Sequence, residues 1–128
     1  MDFGQWAKWA KENGAAMFLL EHRYYGQSKP TEDMSTPNMI YLSSRQGLED
    51  LGHFISAMNQ KHNLTGAPWI TFGGSYPGSL SAWMRLRFPH LVTGSVSSSG
   101  PLFAKLDYFE YLQVKKVANS LRFHVSLF

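Results

Sequence analysis

No cysteine occurs among the 128 residues. Disulfides and thiolate metal sites are therefore excluded within the chain, and the redox compartment stays open. Charge is also scarce: Asp, Glu, Lys and Arg make up 16% of the chain, below the usual share for a soluble domain. Nor is one sign of charge gathered anywhere. Twelve basic and nine acidic residues leave a net charge of +3, and the basic ones are scattered from Lys8 to Arg122. A nucleic-acid surface needs a clustered footprint, so nucleic acid is not an expected partner. No apolar run approaches the roughly 20 residues that span a bilayer. The opening Met1-Asp2-Phe3-Gly4-Gln5-Trp6 is amphipathic, unlike a secretory signal with its basic patch and apolar stretch. No cofactor and no metal is expected.

What is present is apolar and aromatic. Hydrophobic residues reach 44% and aromatics 15%, which excludes disorder as the overall state. The length fits one domain with a buried core. Few charges with many aromatics are what the interior of a larger domain looks like.

Apolar spacing divides the chain into alternating elements. Phe3, Trp6, Trp9 and Ala10 recur at helical spacing, and Gly14 supplies a C-cap. Ala15-Ala16-Met17-Phe18-Leu19-Leu20 is a bounded apolar run, which predicts a strand buried on both faces. Gly26, Pro30 and Pro37 mark a loop from Glu21 to Tyr41, in which Glu21 and Arg23 are placed to pair. Ser43 or Ser44 then caps a helix with the stripe Leu48, Leu51, Phe54, Ile55 and Met58, ended by Asn63 and Gly66. A strand is predicted over Trp69–Phe72, a helix with Leu80, Trp83, Met84 and Leu86 up to Pro89, and a strand over Val92–Ser97. A last helix is predicted over Leu106–Leu112. The order α-β-α-β-α-β-α predicts an α/β fold, a parallel sheet with helices on both faces. Three strands would leave two apolar edges unpaired, so the chain reads as the middle of a larger sheet.

Chemistry concentrates in Trp69-Ile70-Thr71-Phe72-Gly73-Gly74-Ser75-Tyr76-Pro77-Gly78. A strand turns sharply through small residues into a helix, with a serine at the turn. That arrangement lifts a hydroxyl into reach of a base and a substrate carbonyl. Gly73 and Gly78 permit a close strand–helix approach where a Cβ would clash. The Tyr76 N–H lies at the helix start, where the dipole favours an oxyanion. Pro77 is tolerated in the first turn, yet it disfavours helical backbone at Tyr76. The pattern G-x-S-x-G is not met as written, because Pro77 stands in the last glycine's place.

A second constellation, Glu21-His22-Arg23-Tyr24-Tyr25-Gly26-Gln27-Ser28, follows the first predicted strand at the end where open α/β sheets bind ligands. Together with Tyr41-Leu42-Ser43-Ser44, Gly73-Gly74-Ser75-Tyr76-x-Gly78 and Arg87-Phe88-Pro89-His90, it closely resembles the serine carboxypeptidase S28 family. The resemblance runs from about Asn13 to Leu112. It implies an α/β-hydrolase fold over 1–114, a divergent tail over 115–128, and a serine-type exopeptidase that cleaves peptides next to proline. It places Ser75 on the nucleophile and Tyr76 on the residue whose amide serves the oxyanion. It also implies a secreted or endolysosomal full-length protein, with a homodimer left open. Asn63-Leu64-Thr65 is a sequon, and Asn63 is then a glycan acceptor.

The resemblance also implies that the acid and the histidine follow the serine far downstream. After Ser75 the chain holds only Asp107, His90 and His124 of those types, so it reads as truncated and inactive alone. His22, His53 and His62 read as loop or surface residues. Two other readings stay open: an esterase or lipase with the same elbow, and a non-catalytic fragment that binds or regulates.

Overall fold

The computed structural model describes residues 4–110, 112 and 113. The chain begins with α1 (Gly4–Glu12) and continues through a 3-10 helix (Thr36–Tyr41) to α2 (Ser44–His62), β1 (Ile70–Gly74), α3 (Tyr76–Arg87) and β2 (Gly94–Ser98). Gly14 closes α1 with a positive φ of 62°. Of the two candidate caps for α2, Ser43 takes the role: its Oγ accepts from the Gln46 N–H at 3.3 Å. Asn63 ends α2 in the left-handed conformation and donates its N–H to the Asn59 carbonyl.

β1 and β2 pair in parallel, with Ile70 opposite Gly94 and Gly74 opposite Ser98. The two strands start one or two residues later than their apolar runs, as Trp69 and Val92 turn into the core before the ladder begins. Thr71 faces α3, where its hydroxyl accepts from Ser81 Oγ at 2.9 Å and donates to the Ser81 carbonyl. Alternation then puts Ile70 and Phe72 on the opposite face, with Val96 beside Phe72. All three are exposed there. α1 reaches this side through Trp6, whose ring lies 6.4 Å from that of Phe72.

Two expectations are corrected. The run Ala15–Leu20 forms no ladder, so the described sheet has two strands rather than three. The run lacks the β-branched residues that favour strands. Phe18 instead seats it against α2 and the entry to β1, stacking on Trp69 at 5.2 Å and meeting Phe54 edge-on at 5.9 Å. Leu19 is left 84% exposed. The helix expected from Leu106 does not start there either. Asp107 has a φ of 49°, which interrupts helical backbone, and helical geometry begins at Glu110. The tail 115–128 lies outside the described residues.

The core sits between α2 and α3. Leu48 and Ile55 of α2 meet Leu80 and Met84 of α3 and Val92 before β2, with Leu51, Trp69, Tyr76, Phe88 and Leu91 around them. Phe88 packs over Gly52 of α2, 3.5 Å from where a Cβ would stand, an ordinary contact distance. Met84 is fully buried, whereas Leu86, two residues on, is 78% exposed. Met84→Ala is therefore expected to lower stability by about 3 kcal/mol through transfer and cavity terms. Leu86→Ala should stay within about 0.5 kcal/mol. Urea unfolding checks both, and equal costs would contradict this placement of the core.

Candidate active site

Ser75 joins β1 to α3 with φ 61° and ψ −134°. A residue with a Cβ rarely adopts this conformation, and holding it costs on the order of 1–3 kcal/mol. Its surroundings leave no alternative. The Ser75 N–H continues the ladder, donating to the Ser98 carbonyl at 2.9 Å. Its carbonyl accepts from the N–H groups of Gly78 at 2.8 Å and Ser79 at 3.3 Å. A Cβ on Gly73 would lie 2.0 Å from the Pro77 carbonyl oxygen, and one on Gly78 would lie 2.8 Å from that of Ser98. Beyond β2, Ser79 Oγ donates to the Pro101 carbonyl at 3.0 Å. Helix and strands are thus locked together, and the turn between them must pass through Ser75.

The Ser75 side chain is exposed and caps nothing. The Tyr76 N–H has no acceptor among the described residues. It stands at the start of α3, where unpaired amides and the dipole together favour an anion. A free hydroxyl and a free amide are therefore neighbours at one turn. This is the geometry of a nucleophile elbow.

The Tyr76 side chain runs the other way, into a cluster that the sequence did not disclose. His22 Nδ1 donates to the Arg23 carbonyl at 2.7 Å, which leaves Nε2 as the acceptor. The Tyr76 hydroxyl is hydrogen-bonded to that Nε2 and to Ser44 Oγ, each at 3.1 Å. His22 packs on the backbone of α2, since a Cβ on Gly47 would lie 2.7 Å from Nε2. Tyr25 meets His22 edge-on at 4.6 Å and stacks on Tyr76 at 6.5 Å. A shallow cavity of about 270 Å³ opens here, lined by Tyr25, Leu42, Ser43, Ser44 and Tyr76. The adjacent serines were the available signal: once Ser43 caps α2, the Ser44 hydroxyl is spare.

Arg23 fixes this cluster to α2. It grips Asp50 with both arms of its fork, Nε to Oδ2 at 2.6 Å and Nη2 to Oδ1 at 2.7 Å. Nη1 donates to the Tyr41 carbonyl at 3.0 Å and to Gln46 Oε1. The bonds to Asp50 hold the guanidinium above its ordinary value. The expected Glu21–Arg23 pair is not formed. Glu21 turns inward on its own loop and accepts the Ser28 N–H at 2.7 Å. Hydrogen bonding from Ser28 holds the Glu21 carboxyl below its ordinary value of 4.5. That brace is present above this value and is lost as pH falls through the lowered one.

The other histidines stand apart from Ser75. His90 follows α3, whose 12 residues make a helix about 18 Å long. His53 and His62 are exposed on α2, His62 against Phe18 at 5.7 Å. Both ring nitrogens of His22 are engaged. Asp107 lies in the segment after β2, and His124 lies outside the described residues. Among the described residues no group of three or more His, Asp or Glu side chains is placed to hold a metal ion.

A strand, a serine at positive φ and, among the described residues, an unengaged amide at a helix start are the parts that a serine nucleophile would need. The model of the family described as serine carboxypeptidase S28 matches residues 1–124, and the chain belongs to that family. A putative serine protease of Caenorhabditis elegans is 52% identical over 110 residues, 86% of this chain and 20% of the relative. The thymus-specific serine protease of Homo sapiens is 47% identical over 102 residues, 79% of this chain and 20% of the relative. The lysosomal Pro-X carboxypeptidase of Homo sapiens is 39% identical over 100 residues, with 73% and 20% covered. The chain spans about a fifth of the length of the curated relatives it matches.

Gly73→Ala should cost about 3 kcal/mol, because the added carbon meets backbone rather than a side chain that can move. Gly94→Ala, in the same sheet with nothing within 4 Å of its Cβ position, should stay within about 0.5 kcal/mol. Chemical denaturation of the two variants checks the contrast. A tolerated Gly73→Ala would contradict the locked elbow.

Proposed function

We propose that Ser75 is the nucleophile of a serine peptidase and that the Tyr76 N–H is one of its oxyanion donors. The observation that carries this reading is the Ser75 backbone, φ 61° and ψ −134°, beside an amide with no acceptor among the described residues. Strain of this kind persists only where the surroundings enforce it, and it clusters at reactive sites.

In the proposed reaction Ser75 Oγ attacks the scissile carbonyl carbon, and a base takes the hydroxyl proton. The carbonyl oxygen gains the electron pair and is held by the Tyr76 N–H and by the dipole of α3. The C–N bond then breaks, and the amine leaves with the proton. Water hydrolyses the Ser75 ester and restores the hydroxyl. The base, the acid that orients it and the second donor are assigned to residues outside those described. Catalysis is accordingly assigned to the full-length protein, and the segment on its own should react weakly.

Peptides cleaved next to proline, from one end, are the proposed substrates. Membership of the family supports this, and one relative's name states a Pro-X carboxypeptidase. The same relative is named lysosomal, which supports a secreted or endolysosomal setting. No helix among the described residues is long and apolar enough to cross a membrane. In such a setting Asn63 is a glycan acceptor. It is exposed at the far end of α2, about 28 Å along the helix from Ser44, so a glycan there leaves the site open.

A fluorophosphonate probe should label the full-length protein and fail to label its Ser75→Ala variant. Turnover should be seen with proline-containing peptides and fall by at least about 1,000-fold in that variant. Hydrolysis of acyl esters without any peptide turnover would favour an esterase, and labelling that survives Ser75→Ala would overturn the assignment.

A further inference from the structure

We infer that the Tyr76 side chain aims the oxyanion amide, and that it does so against the pull of Pro77. The inference rests on the reading of Ser75 as nucleophile. Proline pushes the residue before it away from helical backbone towards extended backbone. Tyr76 nevertheless begins α3, and Pro77 is its second residue. The conflict falls on the peptide that carries the proposed oxyanion donor.

Relaxation at Tyr76 could not be passed into the helix. Gly78 is pressed against Ser98, and Ser79 is tied to Pro101. The change would fall on the Ser75–Tyr76 peptide and turn its N–H away from the oxyanion position. Three contacts oppose this turn. The Tyr76 hydroxyl is hydrogen-bonded to His22 Nε2 and to Ser44 Oγ, each at 3.1 Å. The ring stacks on Tyr25 with planes 27° apart. These partners are themselves fixed: His22 by the Arg23 carbonyl and the backbone of Gly47, and Arg23 by its two bonds to Asp50. Ser44 is the first residue of α2. The hydroxyl of Tyr76 is thus anchored to the start of α2.

His22, Ser44 and the Tyr76 hydroxyl are positioning residues on this account. Their action passes through the direction of one N–H, and an oxyanion donor contributes in the transition state far more than in the ground state. A role in packing alone would appear in stability and not in a kcat-against-KM split.

The test uses the full-length protein with a proline-containing peptide substrate. Tyr76→Phe keeps the ring and removes the hydroxyl. It should lower kcat by about 10-fold through misaimed transition-state contact and leave KM within about 2-fold. A peptide boronate, which places an oxyanion, should lose affinity in proportion, while a product peptide should not. Ser44→Ala should act in the same direction. In a Pro77→Ala background the effect of Tyr76→Phe should shrink to about 2-fold, because the opposing preference is gone. An equal loss in both backgrounds, an unchanged kcat, or a loss confined to KM would overturn the inference. Ser75→Ala separates the two claims. If it retains turnover, the nucleophile assignment fails. If it is inactive while Tyr76→Phe is fully active, only the positioning role fails.

Discussion

Gly73 lies so close to the start of α3 that an added carbon would sit 2.0 Å from the Pro77 carbonyl oxygen. The rest of the site depends on that approach. Gly78 repeats it on the other side, against Ser98. With strand and helix held this near, one residue must make the whole turn, and its backbone enters a region where a side chain is unwelcome. Ser75 accepts that strain because β2 and α3 satisfy both of its backbone groups. Two consequences follow from one constraint. The hydroxyl is thrust outward, and the next amide has no acceptor among the described residues. The proposed nucleophile and the proposed donor are products of the same turn.

A second layer steadies the first. The loop that carries Glu21–Ser28 has no regular structure, yet Arg23 binds it to Asp50, Gln46 and Tyr41, and Glu21 closes it on Ser28. The first turns of α2 thereby serve several tasks at once. Ser43 caps, Ser44 reaches Tyr76, Gln46 and Asp50 hold Arg23, and Gly47 makes room for His22. Bidentate arginine–carboxylate geometry is directional as well as strong, which suits an element that must keep its place beside the turn at Ser75. The core of Leu48, Ile55, Leu80, Met84 and Val92 lies beneath both layers and keeps α2 and α3 in contact.

The elbow was legible in the sequence because its constraints are local. Gly73, Ser75, Tyr76 and Gly78 fall within six positions, and each has a steric or electrostatic reason to be where it is. α2 and α3 were legible for a similar reason, since Leu48 and Ile55 in one and Leu80 and Met84 in the other fall at helical spacing. The cluster around Tyr76 was not. Arg23 and Asp50 are 27 positions apart, and His22 and Tyr76 are 54 apart. No periodicity joins them, and Glu21, the nearer acid, drew the pairing that Asp50 holds. The run Ala15–Leu20 misled for another reason. An apolar segment becomes a strand only when a neighbour completes its ladder, and Phe18 finds its partners in Trp69 and Phe54 instead.

The central claim is that one strained turn supplies both the attacking oxygen and the amide that receives the developing charge. A crystal structure of the full-length protein after reaction with a fluorophosphonate tests it most directly. The account predicts a phosphorus–oxygen bond at Ser75, with a phosphonyl oxygen about 2.7–3.1 Å from the Tyr76 nitrogen. An adduct on another residue, or a phosphonyl oxygen directed away from the Tyr76 amide, would contradict it.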